Sequence, residues 1–357
     1  MYYQSITQLM RKVYLWQKEH QVRQIIRSHG QRRYLKSTDW ERGVFWSCVA
    51  AAWRETQDEV YLNGLAEYTL NTGFRPGPLV NFADDQVCIQ GYLDVYQVLG
   101  CDDAMQYVQK ALEPVLTCEK RGREIWWWAD ALFMAAPTLA AYGAHSLQPA
   151  YWEQMDRLWW DAVDFLHDPE TGLYYRDKRY MPLPEGEGIR EQNGEKVFWA
   201  RGIGWILAAI PRLLTYLPEE FPSRERYLTQ FLLLSEQVVK YQFADGLWRT
   251  SLLDPGHFPE PESSASALFC YALAWGVNRG ILDETYHEVA LRAWQGLTEC
   301  VDDQGRMGWI QLPAYNPRRV KASDNIDYGA GIFLLAGSEM RHMVCPVATG
   351  VSDEKGN

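Results

Sequence analysis

Residues 131–142, ALFMAAPTLAAY, carry no charged side chain, although 23% of the 357 residues in the chain are charged. A helix that is apolar on every face is stable only when other parts of the protein surround it. The sequence therefore predicts an internal helix at this position. Four more stretches are apolar nearly all round and predict internal helices in the same way: 43–53, 203–210, 267–275 and 329–336.

Amphipathic segments alternate with these apolar stretches. In residues 151–166, YWEQMDRLWWDAVDFL, apolar side chains recur at helical spacing and the charged side chains lie off that stripe. About six pairs of an outer amphipathic and an inner apolar helix, joined by short loops and without polar capping repeats, favour closure into a ring. The expected fold is all-α: an (α/α)6 barrel, or six-hairpin toroid, in one domain over residues 1–345, with a disordered tail over residues 346–357.

Three related motifs predict turns on one rim of this ring. HDPETGLYYRD (167–177), QFADGLWRTS (242–251) and VDDQGRMGWIQ (301–311) each place an Asp and a Gly before a short aromatic stretch. Glycine after polar residues is typical of a tight turn, and the aromatic stretch predicts a short β-strand. A longer charged segment, residues 181–196, is expected to be either a lid or a solvated surface loop.

The segments that precede the inner helices are polar and aromatic. In a double ring all inner helices point the same way, so their N-terminal ends meet at one rim, where helix dipoles favour anions. We therefore expect a polar and aromatic funnel there, of the kind that binds small ligands. The segments that form it are 38–43, 81–86, 126–130, 198–205, 261–266 and 323–329.

Asp130 follows three tryptophans in the sequence WWWAD and begins the internal helix. One interpretation is structural, because an acid in the first turn stabilises a helix. The other interpretation is that an indole wall without a charged partner raises the pKa of Asp130, so that its carboxyl holds and delivers a proton near neutral pH. The position of Asp130 at the floor of the funnel favours the second interpretation.

Composition excludes several classes of function. The net charge of -11 argues against binding to nucleic acid or to an anionic membrane. Seven dispersed cysteines without a C-x-x-C pair indicate reduced thiols and a cytoplasmic location, and we expect neither a leader peptide nor a membrane span. No H-E-x-x-H motif or His/Cys cluster is present in the sequence, so no metal or other cofactor is expected. The oligomeric state stays open.

Three motifs carry a resemblance to a known family. WWWADALFMA (126–135), FWARGIGW (198–205) and ESSAS (262–266) resemble the unsaturated uronyl hydrolases of glycoside hydrolase families 105 and 88, in particular the unsaturated rhamnogalacturonyl hydrolases of family 105. The resemblance extends over roughly residues 35 to 340. It implies an (α/α)6 barrel that removes a Δ4,5-unsaturated uronic acid from the non-reducing end of lyase-generated oligosaccharides, as in pectin degradation.

The resemblance also implies roles for individual residues. Asp130 is expected to be the general acid/base, and the second carboxylate is either Asp84 or Asp85. Arg201 is expected to bind the uronate carboxylate, since guanidinium binds carboxylates bidentately, although it can also be a structural ion-pair partner. The other expected substrate contacts are Trp127, Trp128, Trp199, Trp205, Ser263 and Ser264, of which the two serines can equally belong to an N-cap.

The implied reaction is hydration of an enol ether, in which Asp130 protonates C4 while water adds at C5. One positioned acid that returns as a base can suffice. Many family members have a histidine within the segment that corresponds to GLYYRDKRY (172–180), whereas this chain has Arg176 and Asp177, so the neighbouring sugar stays open. Alternatives are a sugar epimerase, another (α/α)6 glycosidase and a non-catalytic helical-repeat binding protein. An epimerase would need paired histidines at the rim, and a binding protein would not need an acid beside indoles.

Overall fold

The computed structural model describes residues 3–26, 30–79, 81–100, 102–182 and 188–344, without the side chains of residues 102–104. Within these ranges twelve helices form two concentric layers, and two single-turn helices, α4 (Ala83–Gln86) and α7 (Gly122–Ile125), precede inner helices. The outer layer consists of α1 (Tyr3–Glu19), α3 (Glu59–Thr72), α6 (Asp102–Leu116), α9 (Ala150–Leu166), α11 (Arg224–Val239) and α13 (Glu284–Glu299). The inner layer consists of α2 (Trp40–Thr56), α5 (Ile89–Leu99), α8 (Ala129–Ser146), α10 (Ala200–Leu214), α12 (Ser263–Asn278) and α14 (Asp327–Val344).

The inner helices form a closed ring. Each contacts the next inner helix along the chain, and α14 contacts α2. Burial follows from this arrangement: α8 is buried at every position from Ala129 to Gly143, and α10 is buried over its whole length. The five apolar stretches all lie in the inner layer, which confirms the (α/α)6 barrel. The sixth inner helix, α5, is buried only over its first half, and it lacks the all-round apolar character of the others.

The three predicted turns are present, but the strands after them are not. Gly172, Gly246 and Gly305 have φ angles of 72°, 80° and 97°, a region that costs glycine nothing and strains other residues. At Gly246 a side chain would also meet the Arg292 carbonyl oxygen at 2.1 Å. Only isolated bridges follow these turns, such as His167 with Tyr174. The two-stranded antiparallel sheet of the described ranges lies elsewhere, between β1 (Gln24–Ile26) and β2 (Arg32–Tyr34).

The loop over residues 181–196 is described only in part, since residues 183–187 lie outside the described ranges. Its second half is fixed to the barrel: Lys196 binds Asp168 at 3.0 Å, and Ser251 donates a hydrogen bond to Glu191 at 2.7 Å. The predicted tail over residues 346–357 also lies outside the described ranges. Among the helices that are described, none combines the length and the apolar character needed to cross a membrane.

Candidate active site

A cavity of about 460 Å³ opens at the rim where the inner helices begin. Its volume lies within the roughly 300–1,000 Å³ that is typical of small-molecule sites. The wall combines carboxylates, two arginines and aromatic rings, as the polar segments at this rim predicted. Its charged residues are Arg33, Asp39, Asp84, Asp85, Asp130 and Arg176, and its aromatic residues are Trp40, Phe82, Trp127, Trp128 and Tyr315.

Asp130 occupies the second position of α8 and is 9% exposed. The chain segment before α8 pairs with a distant segment, because Trp128 forms a bridge with Asp177 and the Ala129 amide donates to the Arg176 carbonyl at 2.8 Å. This pairing brings the Arg176 side chain to the acid, and Arg176 Nε donates to Asp130 Oδ2 at 3.3 Å. The expectation that Asp130 has no charged partner is therefore wrong.

Arg176 is held in place from two sides. Its Nη1 donates to Asp177 Oδ2 at 2.8 Å, and Arg179 donates to both oxygens of the same carboxylate at 2.8 and 2.7 Å. Burial opposes the charge of Asp177, but the hydrogen bonds from Arg179 and Arg176 outweigh it and hold the pKa of Asp177 below its usual value. The Arg176 guanidinium also lies 5.4 Å from the Trp127 ring and 5.3 Å from the Tyr315 ring. Its orientation is therefore fixed before any ligand binds.

Asp84 is the carboxyl that is electrostatically coupled to Asp130. Burial raises the pKa of Asp84 well above its ordinary value, and the negative charges of Asp130 and Glu41 raise it further, against the opposing effect of Arg176. Two carboxyls that share a site cannot both ionise easily, so the protons on the pair belong to both groups. Asp84 therefore keeps its proton to a higher pH than an exposed aspartic acid does.

Asp85 has a mainly structural position, although it also lines the cavity. Its Oδ2 accepts a hydrogen bond from the Leu79 amide at 2.7 Å, and its carbonyl accepts one from the Gly77 amide at 2.9 Å. Burial raises the pKa of Asp85, and the hydrogen bond from Leu79 opposes that shift. Because Asp85 holds the loop before α4, the geometry favours Asp84 as the partner of Asp130.

The three tryptophans before Asp130 have different environments. Trp126 is fully buried and packs in the core. Trp127 is 43% exposed and Trp128 is buried, and both line the cavity. The Trp127 and Trp128 rings are 4.6 Å apart, and Phe82 lies 5.5 Å behind Trp128. Trp127 therefore presents the accessible indole face.

Arg201 lies behind the cavity wall. It is 1% exposed, its Nη1 donates to the Gln311 carbonyl, and its Nη2 donates to the Leu312 carbonyl at 3.3 Å. The guanidinium also packs 4.6 Å from the Trp199 ring and 5.1 Å from the Tyr328 ring. Arg201 thus fixes the loop that leads to Tyr315. Arg201 therefore does not line the cavity, and its expected direct contact with a ligand stays a prediction.

Trp199 and Trp205 also lie behind the cavity wall. Both are buried, and neither belongs to the described residues that line the cavity. Trp199 Nε1 donates to Gln311 Oε1 at 2.9 Å, while the Trp205 ring packs at 4.7 Å against Phe133 and at 6.5 Å, edge-on, against Trp40. They support wall residues instead of forming the wall, and their expected direct contact with substrate stays a prediction.

Ser263 and Ser264 belong to an N-cap. Glu262 is the capping residue of α12, and its carboxylate accepts hydrogen bonds from Ser264 Oγ at 2.6 Å and from the Gln311 amide at 2.9 Å. Ser263 Oγ donates to the Gly308 carbonyl at 2.8 Å. Both serines are fully buried. Of the two interpretations of this motif, the capping interpretation agrees with the structure, and the expected substrate contact is corrected.

Sequence patterns did not identify two candidate functional residues, Arg176 and Tyr315. Arg176 was visible only as a departure from a histidine, and nothing in the local pattern indicated that it reaches Asp130. Tyr315 lies in the loop after the third turn motif, where no periodicity identified it. Among the described residues, no group of three or more His, Cys, Asp or Glu side chains is placed to hold a metal ion.

The barrel fold, together with a rim cavity that combines carboxylates, arginine and indole, defines a carbohydrate-active enzyme of the (α/α)6 class. The chain belongs to glycosyl hydrolase family 88, whose sequence profile matches residues 11–344. It is therefore a glycoside hydrolase.

Individual relatives support this assignment. An unsaturated 3S-rhamnoglycuronyl hydrolase of Formosa agariphila is 33% identical over 324 residues, which cover 86% of this chain and 85% of the relative. An unsaturated rhamnogalacturonyl hydrolase of Bacillus subtilis is 26% identical over 293 residues, 76% of this chain and 78% of the relative. A solved family 88 structure from Bacteroides vulgatus superposes with a TM-score of 0.85 at 28% identity. The superposition covers 96% of this chain and 100% of the Bacteroides chain.

Proposed function

We propose that this glycoside hydrolase removes a Δ4,5-unsaturated uronic acid from the non-reducing end of oligosaccharides that polysaccharide lyases have produced. The names of its relatives support this substrate class. The observation that carries the proposal is the juxtaposition of Asp84, Asp130 and Arg176 in one cavity. These three groups supply a proton, a base and a cation, which are the requirements of hydrating an anionic enol ether.

Arg176 binds the carboxylate of the uronate in this proposal. The other arginine of the wall, Arg33, is already bound by both oxygens of Glu41 at 2.7 and 3.1 Å. Within the described part of the chain, Arg176 uses Nε for Asp130 and Nη1 for Asp177. Its Nη2 is left for a ligand. In the substrate, the carboxylate is on C5, directly beside the C4 atom that takes the proton. A carboxylate site in contact with the acid satisfies that short separation.

The sugar ring packs on Trp127. An exposed indole beside the reacting groups suits the C–H face of a sugar, and aromatic faces contribute large contact areas at binding sites. The Trp128 ring packs against Trp127, and the Phe82 ring in turn packs against Trp128. The ring is therefore positioned by stacking and the carboxylate by Arg176, which together orient the double bond.

The Asp84/Asp130 pair carries out the proton transfers. Asp130 delivers a proton to C4 while the oxygen of a water molecule bonds to C5 and the water proton passes to the pair. The product is a hemiketal at C5, which opens to a C5 ketone as the ring oxygen becomes a hydroxyl on C1. The resulting hemiacetal at C1 breaks down to an aldehyde and releases the neighbouring sugar with its hydroxyl. Asp84, which keeps its proton to a higher pH than an exposed aspartic acid does, replenishes Asp130, and the ionised member of the pair accepts the water proton. The anomeric carbon is not attacked, so carboxylate spacing rules for ordinary glycosidases do not apply.

A spectroscopic assay tests this function directly. The conjugated double bond of an unsaturated uronate absorbs near-ultraviolet light, and the hydrated product does not. Lyase digests of rhamnoglycuronan, rhamnogalacturonan, arabinogalactan-type and glycosaminoglycan polymers are each incubated with the protein. We expect at least one digest to lose its absorbance, and a protein carrying Asp164→Asn, at an exposed carboxylate on α9, to behave like the wild type.

Three results would contradict the proposal. Persistence of absorbance in every digest would remove the function, and so would sugar epimerisation without loss of absorbance. An increase in absorbance with intact polymer would instead identify a lyase. The first digest to test is rhamnoglycuronan, since the relative named for that linkage is 33% identical and the one named for rhamnogalacturonan is 26% identical.

We also propose a cytoplasmic location. It is supported by the dispersed cysteines, of which Cys48, Cys88, Cys118, Cys270 and Cys300 are described and are free thiols. Cell fractionation of the source organism tests this, and recovery of the protein outside the cytoplasm would overturn it.

A further inference from the structure

A second cavity of about 190 Å³ lies at the opposite end of the barrel, where α2, α10, α12 and α14 end. It shares no lining residue with the rim cavity. Its volume is below the roughly 300 Å³ at which pockets for drug-sized ligands begin, so it suits a small ligand. Three arginines and two glutamates line it: Arg54, Arg212, Arg279, Glu55 and Glu339. We call it the Arg212 cavity.

The carboxylates around this cavity are already paired with other cations. Glu339 binds Arg279 at 3.2 Å, and Glu55 binds both Arg341 at 3.2 Å and His342 at 2.7 Å. Arg54 is bound by Asp94, a buried residue of α5. None of these acids therefore neutralises the remaining arginine.

Arg212 is that remaining arginine. It is 8% exposed, and among the described residues it has no acidic partner. Its Nε and Nη2 both donate to the side-chain oxygen of Gln90, at 3.2 Å for Nε. The guanidinium also lies 5.3 Å from the Phe133 ring. A buried guanidinium that meets a neutral amide and an aromatic ring, but no carboxylate, has a desolvation cost without a compensating ion pair.

Trp275 provides an independent sign of a missing acceptor. Its side chain is 4% exposed and lines the Arg212 cavity, and its Nε1–H has no hydrogen-bond partner among the described residues. Buried indole N–H groups normally find an acceptor. Helix C-termini favour cations, which explains why arginines collect at this end of the barrel. That effect does not explain a buried donor without an acceptor.

We propose that the Arg212 cavity binds a small tetrahedral oxyanion of the sulfate or phosphate type, held by the Arg212 guanidinium and the Trp275 Nε1–H. Such an anion offers mainly acceptors, and the groups that would hold it are donors: Arg212, which has no acidic partner among the described residues, and the unpaired Trp275 Nε1–H. Bidentate guanidinium contacts suit the geometry of such oxyanions. The neighbouring Tyr271, which also lines the cavity, adds a hydroxyl donor.

Calorimetric titration of the full chain with sodium sulfate, and separately with sodium phosphate, tests this site. Sodium chloride keeps the ionic strength constant, because sulfate also stabilises proteins non-specifically. We expect one saturable site in the wild type, with tighter binding of whichever anion is the natural one. Arg212→Gln should weaken that binding about tenfold or more, which corresponds to the loss of one charge-assisted hydrogen bond.

Trp275→Phe is the matched variant that keeps the ring and removes only the N–H, so it tests the site even if Arg212→Gln fails to fold. We expect it to weaken binding several-fold without lowering the melting temperature in chloride. Arg176→Gln, in the rim cavity, serves as the control and should bind as the wild type does. Absence of a saturable site, equal binding by wild type and Trp275→Phe, or loss of binding only in Arg176→Gln would each overturn the proposal.

Discussion

Arg176 and Arg201 are both buried arginines at the same rim of the barrel, yet they occupy different layers. Arg176 lies on the cavity wall, where two carboxylates hold it and one nitrogen faces the cavity. Arg201 lies one layer deeper, where its terminal nitrogens bind the backbone carbonyls of Gln311 and Leu312. Burial and charge are similar in the two cases. The difference is that the Arg176 side chain lines the cavity, where a ligand can reach it, whereas Arg201 does not belong to the described residues that line it.

The same contrast separates the acids of the rim. Asp84 and Asp130 belong to the wall, and the proton affinity of Asp84 reflects the charge of its neighbour. Glu262 lies in the deeper layer and spends its carboxylate on capping α12 and on the Gln311 amide. Substitutions in the wall should therefore change catalysis with little effect on stability, and substitutions in the deeper layer should do the reverse.

The largest effect should come from Asp130→Asn. An amide cannot deliver a proton to C4, so turnover should fall by about 10²–10⁴-fold, the usual contribution of a general acid/base. Asn keeps the shape of the side chain and an oxygen that can accept the hydrogen bond from Arg176, so the melting temperature should stay close to that of the wild type. Initial rates of absorbance loss and thermal unfolding measure the two properties, with Asp164→Asn as the control.

A variant that melts normally and keeps more than about a tenth of wild-type turnover would place Asp130 in the deeper, structural class, since the loss would then be below the general-acid range. Asp130 would then be a wall residue without a catalytic role, and position on the cavity wall would not predict function.

Asp84→Asn should have the next largest effect and should also change the pH dependence. The enzyme needs the protonated pair, so kcat/KM of the wild type should fall as pH rises through the raised pKa of Asp84. In the variant, the pH at which kcat/KM falls on the alkaline side should change. Turnover should fall by about 10²-fold, at the lower end of the range for such groups. Asp85→Asn is the matched neighbour and should retain most activity.

Stability provides a second test of Asp84. Folding raises its pKa, so the contribution of its protonated form is fully present below the unfolded-state pKa and is lost as pH rises through the folded-state pKa. Asn cannot ionise, so Asp84→Asn should melt at a higher temperature than the wild type at alkaline pH and show a flatter pH profile. An unchanged profile would mean that Asp84 is not coupled to the site.

Arg176→Gln directly tests the contrast between the two arginines. It removes a charge-assisted contact worth about 1.5–3 kcal/mol, so KM should rise about tenfold or more. Arg176→Lys should restore part of the affinity, because it restores the charge without the forked geometry. Arg201→Gln should instead lower the melting temperature by leaving buried carbonyls unpaired. If Arg201→Gln raises KM at unchanged stability while Arg176→Gln leaves KM unchanged, the two assignments are reversed.

The contrast between layers also explains what the sequence could predict. A helix that is apolar on every face has only one stable environment, so residues 131–142 were sufficient to place α8 inside a ring. Asp130 was identifiable because an acid beside indoles at a helix start is unusual. The contact of Arg176 with Asp130 depends on pairing between Trp128 and Asp177, which are distant in the sequence. Local patterns carry no information about such pairing.

The layer that a residue occupies was equally invisible in the sequence. Arg201 and Ser264 lie in segments that lead into inner helices, so both reach the correct rim. Whether each side chain enters the cavity or lies behind its wall depends on the loop around Gln311, which binds Arg201 and Glu262 and lies far along the chain from both. The family resemblance therefore predicted the rim, whereas the depth of each side chain behind the cavity wall can be read only from the structure.

The smallest effect should come from Ser264→Ala in the deeper layer. The serine hydroxyl donates to Glu262, which keeps its bonds from the Ala265 and Gln311 amides, so the loss should be that of one hydrogen bond, about 1 kcal/mol of stability. KM and kcat should equal those of the wild type, because Ser264 is fully buried. Ser263→Ala, which removes a bond to the Gly308 carbonyl, should behave in the same way. Denaturant unfolding and steady-state kinetics measure both variants. A rise in KM without loss of stability would show that these serines face the substrate and that they belong to the cavity wall.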